Sequence, residues 1–181
     1  MTQIYRYGFV KEYTRRDSNE LIFNDKTISI IIRNDDNEKI CESIIDIEDY
    51  LIIKDFKWYL GNNGYLMSDS DNQRNYLHRL ILNKPTEYID HINRDKLDNR
   101  KCNLRLCNQS QNGYNRKLNK NNISGYKGVS WINDKRKFKS QIKNNYKVYF
   151  LGYYDTKEEA ALAYNKKAIE FGKEFSTLNI I

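Results

Sequence analysis

Tyr88-Ile-Asp-His-Ile-Asn-Arg-Asp-Lys-Leu-Asp-Asn-Arg100, then Asn103-Leu-Arg-Leu-Cys107, then Gln109-Ser-Gln-Asn112, is the stretch whose reading decides the fold. Glu87 to Ile92 has the apolar pattern of a strand, and Asn103 to Cys107 reads as the strand that returns. Polar residues fill the loop between them. Gln109 opens a short helical segment whose side chains can face back across such a hairpin. Strand, loop, strand and helix outline a small ββα unit. It carries a histidine beside a carboxylate, Asp90-His91, and two asparagines, Asn103 and Asn112.

From about Tyr76 to Arg116 these residues resemble the HNH endonucleases, the ββα-metal nucleases of phage and homing type. The resemblance implies His91 as general base, Asn103 as the residue that braces the loop and so orients the histidine, and Asp90 with Asn112 as ligands of one divalent cation. Many members end the signature with a second metal-binding histidine. Here Asn112 stands in that place, as in the single-metal nicking members. Arg94 replaces a common glycine, and Cys102 and Cys107 also depart from the pattern, but the reacting groups are intact.

The residue types suit phosphodiester hydrolysis. A histidine that titrates near neutrality can take a proton from water. A hard cation held by carboxylate and amide oxygens can neutralise charge on the phosphate. Oxygen ligands point to Mg²⁺ or Mn²⁺ rather than Zn²⁺. An isolated Asp-His dipeptide is more often a surface turn, and asparagine is abundant in this chain. Order, spacing and hairpin pattern together lift the set above that background. The one other histidine, His78 in Tyr76-Leu-His-Arg-Leu80, is expected to pack or hydrogen-bond beneath the finger. Arg79, Arg105 and Arg116 are candidate phosphate contacts.

Charge points the same way. The net charge is +7, yet residues 1–75 hold 10 Lys+Arg against 14 Asp+Glu, whereas residues 76–181 hold 21 against 10. Double-stranded DNA is therefore the expected partner of the basic half. Residues 113–150 contain ten basic residues and one acid, Asp134, interleaved with aromatics. A disordered basic tail would have less to bury.

Ser124 to Trp131, Lys137 to Lys143 and Val148 to Tyr154 read as three antiparallel strands. The helix that follows opens with a capping box, Thr156-Lys-Glu-Glu159. Ala160, Ala161, Tyr164, Ala168 and Phe171 fall on one face, and Gly172 is expected to supply the left-handed C-terminal turn. Residues 124–179 resemble the AP2 DNA-binding domain, down to Leu151-Gly152 and the Glu-Glu-Ala-Ala-Leu-Ala-Tyr run at 158–164. The resemblance implies a sheet that enters the major groove, with Lys127, Ser130, Lys135, Gln141, Lys143, Val148, Phe150 and Tyr153 at the groove-facing positions. Several of these are arginine or tryptophan in the plant members, so their base specificity does not carry over. Phe138 is expected in the core under the helix.

In the first 75 residues Thr27–Ile32 and Lys39–Ile45 are expected to pair, Ile47 to Phe56 to form a short helix, and Trp58–Leu60 with Tyr65–Ser68 to form a hairpin turning at Gly61–Gly64. The fold class is α+β: a β-rich supporting region at 1–75, an HNH motif at 76–116, a basic linker at 117–123 and an AP2-like domain at 124–181. Cys41, Cys102 and Cys107 suit neither a disulfide framework nor a structural zinc and are expected to be reduced. No stretch approaches membrane-spanning length, and Met1 to Tyr7 lacks a signal-peptide core. These features lead us to expect a cytoplasmic protein of a bacterium or phage-infected host, a monomer on DNA with one Mg²⁺ or Mn²⁺ per site. The expected activity is that of an HNH endonuclease of homing type. The alternative is a DNA-binding regulator whose finger is structural; an RNA-binding role would leave the metal ligands unused.

Overall fold

In the computed structural model, which describes residues 18–70, 72–119 and 121–181, the isoleucine-rich segment Thr27–Arg33 is a central strand. It is β2, flanked by β1 (Glu20–Phe23) and β3 (Lys39–Asp46) in an antiparallel sheet. Met1 to Tyr7 and the rest of the first 17 residues lie outside the described residues. The β2–β3 register joins Ile28 to Ile45 and Ile30 to Ser43, and β-branched side chains suit such a pleated strand, buried here from Ile28 to Ile32. Asn37 closes the connection at φ 64, a conformation asparagine tolerates.

The expected helix from Ile47 to Phe56 is shorter. A 3₁₀ turn at Ile47–Asp49 leads into a single helical turn, α1 (Tyr50–Ile53). The carbonyl of Ile53, which a longer helix would use, instead accepts the Phe56 amide at 3.2 Å and the indole Nε1–H of Trp58 at 3.2 Å. Trp58 thereby enters the core, almost wholly buried. The expected hairpin forms from β4 (Tyr59–Leu60) and β5 (Leu66–Ser70). Two elements not expected follow it, β6 (Gln73–Tyr76), which pairs with β5, and α2 (Leu77–Ile81). The strands β7 (Tyr88–His91) and β8 (Leu104–Cys107) make a two-stranded sheet. Ile89 and Leu104 join Ile28, Ile30, Ile45, Trp58 and Leu77 in one core.

Chain contacts divide the protein into two compact units, Met1–Arg105 and Leu106–Ile181. In the second, α3 (Gln109–Tyr114) precedes an antiparallel sheet of β9 (Val129–Ile132), β10 (Lys137–Asn144) and β11 (Lys147–Tyr154), with β10 in the middle. Helix α4 (Lys157–Gly172) packs on this sheet through Ala160, Ala161, Tyr164 and Ala168, and its Thr156–Glu159 capping box is present. A cap of this kind is worth about 1 kcal/mol. Phe138 is partly buried against Val129, Ala160 and Ala161. Tyr114 of α3 shares a core with Ile142, Tyr164 and Ala168.

Two local readings are corrected. The first strand of this sheet begins at Val129, not Ser124, because residues 124–128 form a turn. Gly125 and Gly128 are at φ 78 and 73, and the Ser124 hydroxyl donates to the Val129 carbonyl at 2.9 Å. Gly172 does not supply the left-handed residue: its φ is −103, and Lys173 takes positive φ instead. Glycine is needed at 172 for space, since a Cβ there would lie 2.2 Å from Ser176 Oγ and 2.7 Å from a Tyr114 ring carbon.

The architecture is α+β, with several small antiparallel sheets and few helices. No helix among the described residues is long and apolar enough to cross a membrane, and the three cysteines are free thiols.

Candidate active site

Strand β7 carries Ile89 into the core, and Asp90 and His91, which follow it, are also buried. The chain then leaves through a loop held in part by its own polar residues. Asn103 Oδ1 accepts the Asn93 amide at 2.9 Å and its Nδ2 donates to the Asp98 carbonyl at 2.7 Å, so this side chain ties both ends of the loop. Asn93 and Asp95 each accept an amide two residues on. Arg94 stands at φ 65, a region in which a non-glycine residue costs about 1 kcal/mol or more. Arg100 clamps Asp98 through Nε at 2.8 Å and Nη2 at 2.7 Å, and its guanidinium holds the Asp98 carboxyl below the usual carboxylate range.

Strand β3 stitches this loop in place. The Ile44 amide donates to Leu97 O at 2.9 Å, the Asn99 amide donates to Ile44 O at 2.8 Å, and the Ser43 hydroxyl donates to Leu97 O at 2.7 Å. Asn99 is thus 1 % exposed, and its Oδ1 lies 3.1 Å from His91 Nε2. The asparagine NH₂ donates to Ser43 Oγ at 2.9 Å and to the Lys96 carbonyl at 3.3 Å, which turns its oxygen toward the imidazole. Nε2 therefore donates, and the basic lone pair of neutral His91 is on Nδ1. Burial depresses the His91 pKa below 6.5, opposed by the Asn99 bond and by Asp90.

Asp90 Oδ2 accepts from Arg105 Nε at 2.9 Å and Nη2 at 2.7 Å. Arg79 donates to the Glu87 carbonyl at 3.3 Å and to the Pro85 carbonyl, so its guanidinium fastens the turn before β7. His78 is buried with its ring 5.3 Å from that of His91 and 4.8 Å from Tyr65. Burial, and then the charge of His91, push its pKa down to about 3. The sign follows: between pH 6.5 and 3 the unfolded chain binds a proton at this position that the folded chain refuses, so acid destabilises the fold. Between pH 6 and 5 the unfolding free energy should carry a slope of about 1.4 kcal/mol per pH unit from this group. Urea titrations of His78→Phe should show that part of the slope gone; an unchanged slope would contradict a neutral, buried His78.

The first unit thus brings Asp90, His91, Asn103 and Arg105 together. Asn112 belongs to the second unit, half-buried on α3, whose own capping box is Asn108 with Gln111. Among the described residues no cluster of three His, Cys, Asp or Glu side chains occurs. A hard cation of the magnesium type needs no such cage, because it keeps waters and takes substrate phosphate oxygens beside one or two carboxylates. The buried carboxylate of Asp90 suits it.

In the second unit, Ser130, Gln141, Lys143, Val148, Phe150 and Tyr153 share the sheet face turned away from α4. The register pairs Lys139 with Ser130 and Tyr153, Gln141 with Phe150, and Lys143 with Val148, while Ser140 and Ile142 between them are buried. Lys135 Nζ lies 4.9 Å over the Tyr153 ring. Lys127 is engaged elsewhere: its Nζ donates to the Tyr114 carbonyl and its amide to Asn179 Oδ1 at 2.7 Å. Arg116 and Lys143 line one cleft with Gln109, Ser110 and Tyr146.

Sequence reading missed Asn99, Ser43 and Lys139. Asn99 stands inside the quoted motif, but nothing in its spacing separates it from the other asparagines. Ser43 lies 56 residues away in the chain. Lys139 was open to discovery, since strand alternation places it two residues before Gln141.

No family model matches the chain. It is 34% identical over 146 residues to an uncharacterized HNH endonuclease of Acanthamoeba polyphaga mimivirus, covering 77% of this chain and 75% of that protein. It is 38% identical over 55 residues to Protein 3.8 of Escherichia phage T7, covering 30% of this chain and 46% of that protein. The likeness to the mimivirus protein extends over most of both chains, and the chain belongs to the HNH endonuclease family.

Proposed function

We propose that this protein is a divalent-metal-dependent DNA endonuclease of the homing type whose C-terminal unit acts as an AP2-like targeting domain. The observation that carries the reading is the buried imidazole of His91, held by Asn99 beside the Asp90 carboxylate in a chain of this family. Nδ1 takes a proton from water as the water oxygen bonds to phosphorus; the bond from phosphorus to the 3′ oxygen breaks, and that oxygen leaves as an alkoxide that takes a proton from solvent water. Asn103 keeps the loop closed around His91. The metal, Mg²⁺ or Mn²⁺, would be held by Asp90 and Asn112, and when bound it supplies Lewis-acid charge neutralisation at the scissile phosphate. Arg105 orients the Asp90 carboxylate through its two donors.

The AP2-like reading rests on a sheet backed by a capped helix and on a basic open face; residues 106–181 hold 14 Lys+Arg against 6 Asp+Glu. Arg116, Lys135, Lys139 and Lys143 are its phosphate contacts and Ser130, Gln141, Phe150 and Tyr153 its base-side contacts. Lys127 serves the internal packing of the unit.

The metal assignment is tested by titrating Mg²⁺ in a plasmid-nicking assay. Asp90→Ala is expected to raise the concentration for half-maximal activity by about 10-fold or more, and Asn112→Ala by less, with Mn²⁺ partly restoring the latter. An unchanged metal requirement in Asp90→Ala would remove Asp90 from the metal site.

A further inference from the structure

The open face of the β9–β11 sheet is unusual for a basic surface because its β11 edge is apolar. Phe150 and Val148, alternate residues of β11, are 57% and 56% exposed. The Phe150 ring meets the Tyr153 ring at 4.9 Å. Lys143 lies directly across the strand pair from Val148, Lys139 lies across from Tyr153, and Lys135 Nζ lies over the Tyr153 ring. A second copy of the chain would bring these lysines against one another, so a polyanion is the complementary occupant.

A duplex offers such a face little that is apolar. Its backbone is charged, and the base edges in the major groove present donors and acceptors, with one exception, the C5-methyl group of thymine. Leaving Phe150 and Val148 against polar edges would forfeit their burial; placing them on methyl groups would not. Gln141 lies directly across the strand pair from Phe150. A glutamine amide can bond adenine N6 and N7 together, and adenine is the partner of thymine. The strands carry no arginine on this face, the side chain that most often reads guanine.

We infer that Phe150 and Val148, with Gln141 beside Phe150, make this sheet a reader of thymine methyl groups in A·T-rich duplex DNA. This deepens, and rests on, the reading of the sheet as a DNA-binding surface. It assigns the apolar side chains to base recognition and the lysines to phosphate.

The test changes the methyl and nothing else on the base edge. Binding of the full-length protein in EDTA is measured by anisotropy to a duplex of mixed A·T steps made with thymine, to the same duplex made with deoxyuridine, and to a G·C duplex with and without 5-methylcytosine. Loss of a buried methyl weakens binding about four-fold, so the two contacts predict about 15-fold weaker binding to the uracil duplex. Methylating the G·C duplex should strengthen binding. Phe150→Ala, at an exposed site, should cut the thymine preference to about four-fold, the share of the remaining Val148 contact. If the wild type binds both forms equally, with affinity falling steeply in salt, the methyl reading is overturned and the DNA-binding surface stands. If Phe150→Ala keeps the full thymine preference, the assignment to this face is overturned. If no duplex is bound, or single strands bind better than duplexes, both the inference and the targeting role of the sheet fall.

Discussion

His91→Ala is expected to lower the rate of DNA cleavage by about 10²–10⁴-fold, the range a positioned general base contributes. Duplex affinity should stay within about two-fold of wild type. The two quantities separate because the imidazole is buried, hydrogen-bonded to Asn99 and packed beside His78, whereas the proposed phosphate contacts belong to the second unit. Substituting alanine leaves the loop bonds of Asn103 and Asp98 untouched. A large fall in affinity without a fall in the single-turnover rate would show that His91 binds DNA and does not accept the proton.

Asn99→Ala should lower kcat by about 10–100-fold with KM nearly unchanged, the cost of letting a catalytic ring leave its productive orientation. Asn99 does not reach solvent, so its effect passes through His91. Its own position is set by Ser43 of β3, which makes the N-terminal sheet part of the positioning of the base. Ser43→Ala should reduce kcat by a smaller factor, because the Ile44 backbone bonds to Leu97 and Asn99 persist. Urea unfolding of both variants separates this from simple instability. If kcat is unchanged in folded Asn99→Ala, the His91–Asn99 bond has no role in orienting the base.

The legible part of this molecule was local. Asp90, His91, Asn103 and Asn112 stand in one short run, and strand alternation with turn residues marks β7, β8 and the C-terminal sheet. The capping box at Thr156 located the start of α4 because its bonds are local. What sequence pattern left hidden depends on contacts distant in the chain. Asn99 gains its role only when β3 lies beside the loop, and nothing in Ser43-Ile44 announces that pairing. The strands β1 and β6 are four residues each and lack clear alternation, and α2 is little more than one turn. Gly172 illustrates a different limit: a glycine at a helix end suggests a left-handed cap, yet here it is the closeness of Tyr114 and Ser176 that excludes a side chain. The bonds of Lys127 to Tyr114 and Asn179 were equally hidden, since their partners lie 13 and 52 residues away in the chain.

The distinction between a nuclease and a DNA-binding regulator with a structural finger comes down to bond breaking. Supercoiled plasmid carrying the protein's own genomic locus, incubated with the purified full-length chain, gives that answer directly. The predicted result is conversion to nicked or linear DNA in Mg²⁺ or Mn²⁺, with 3′-hydroxyl and 5′-phosphate ends at a defined position, and no conversion in EDTA. Plasmid left intact with every divalent metal, while the protein binds it in a salt-dependent manner, would contradict the account.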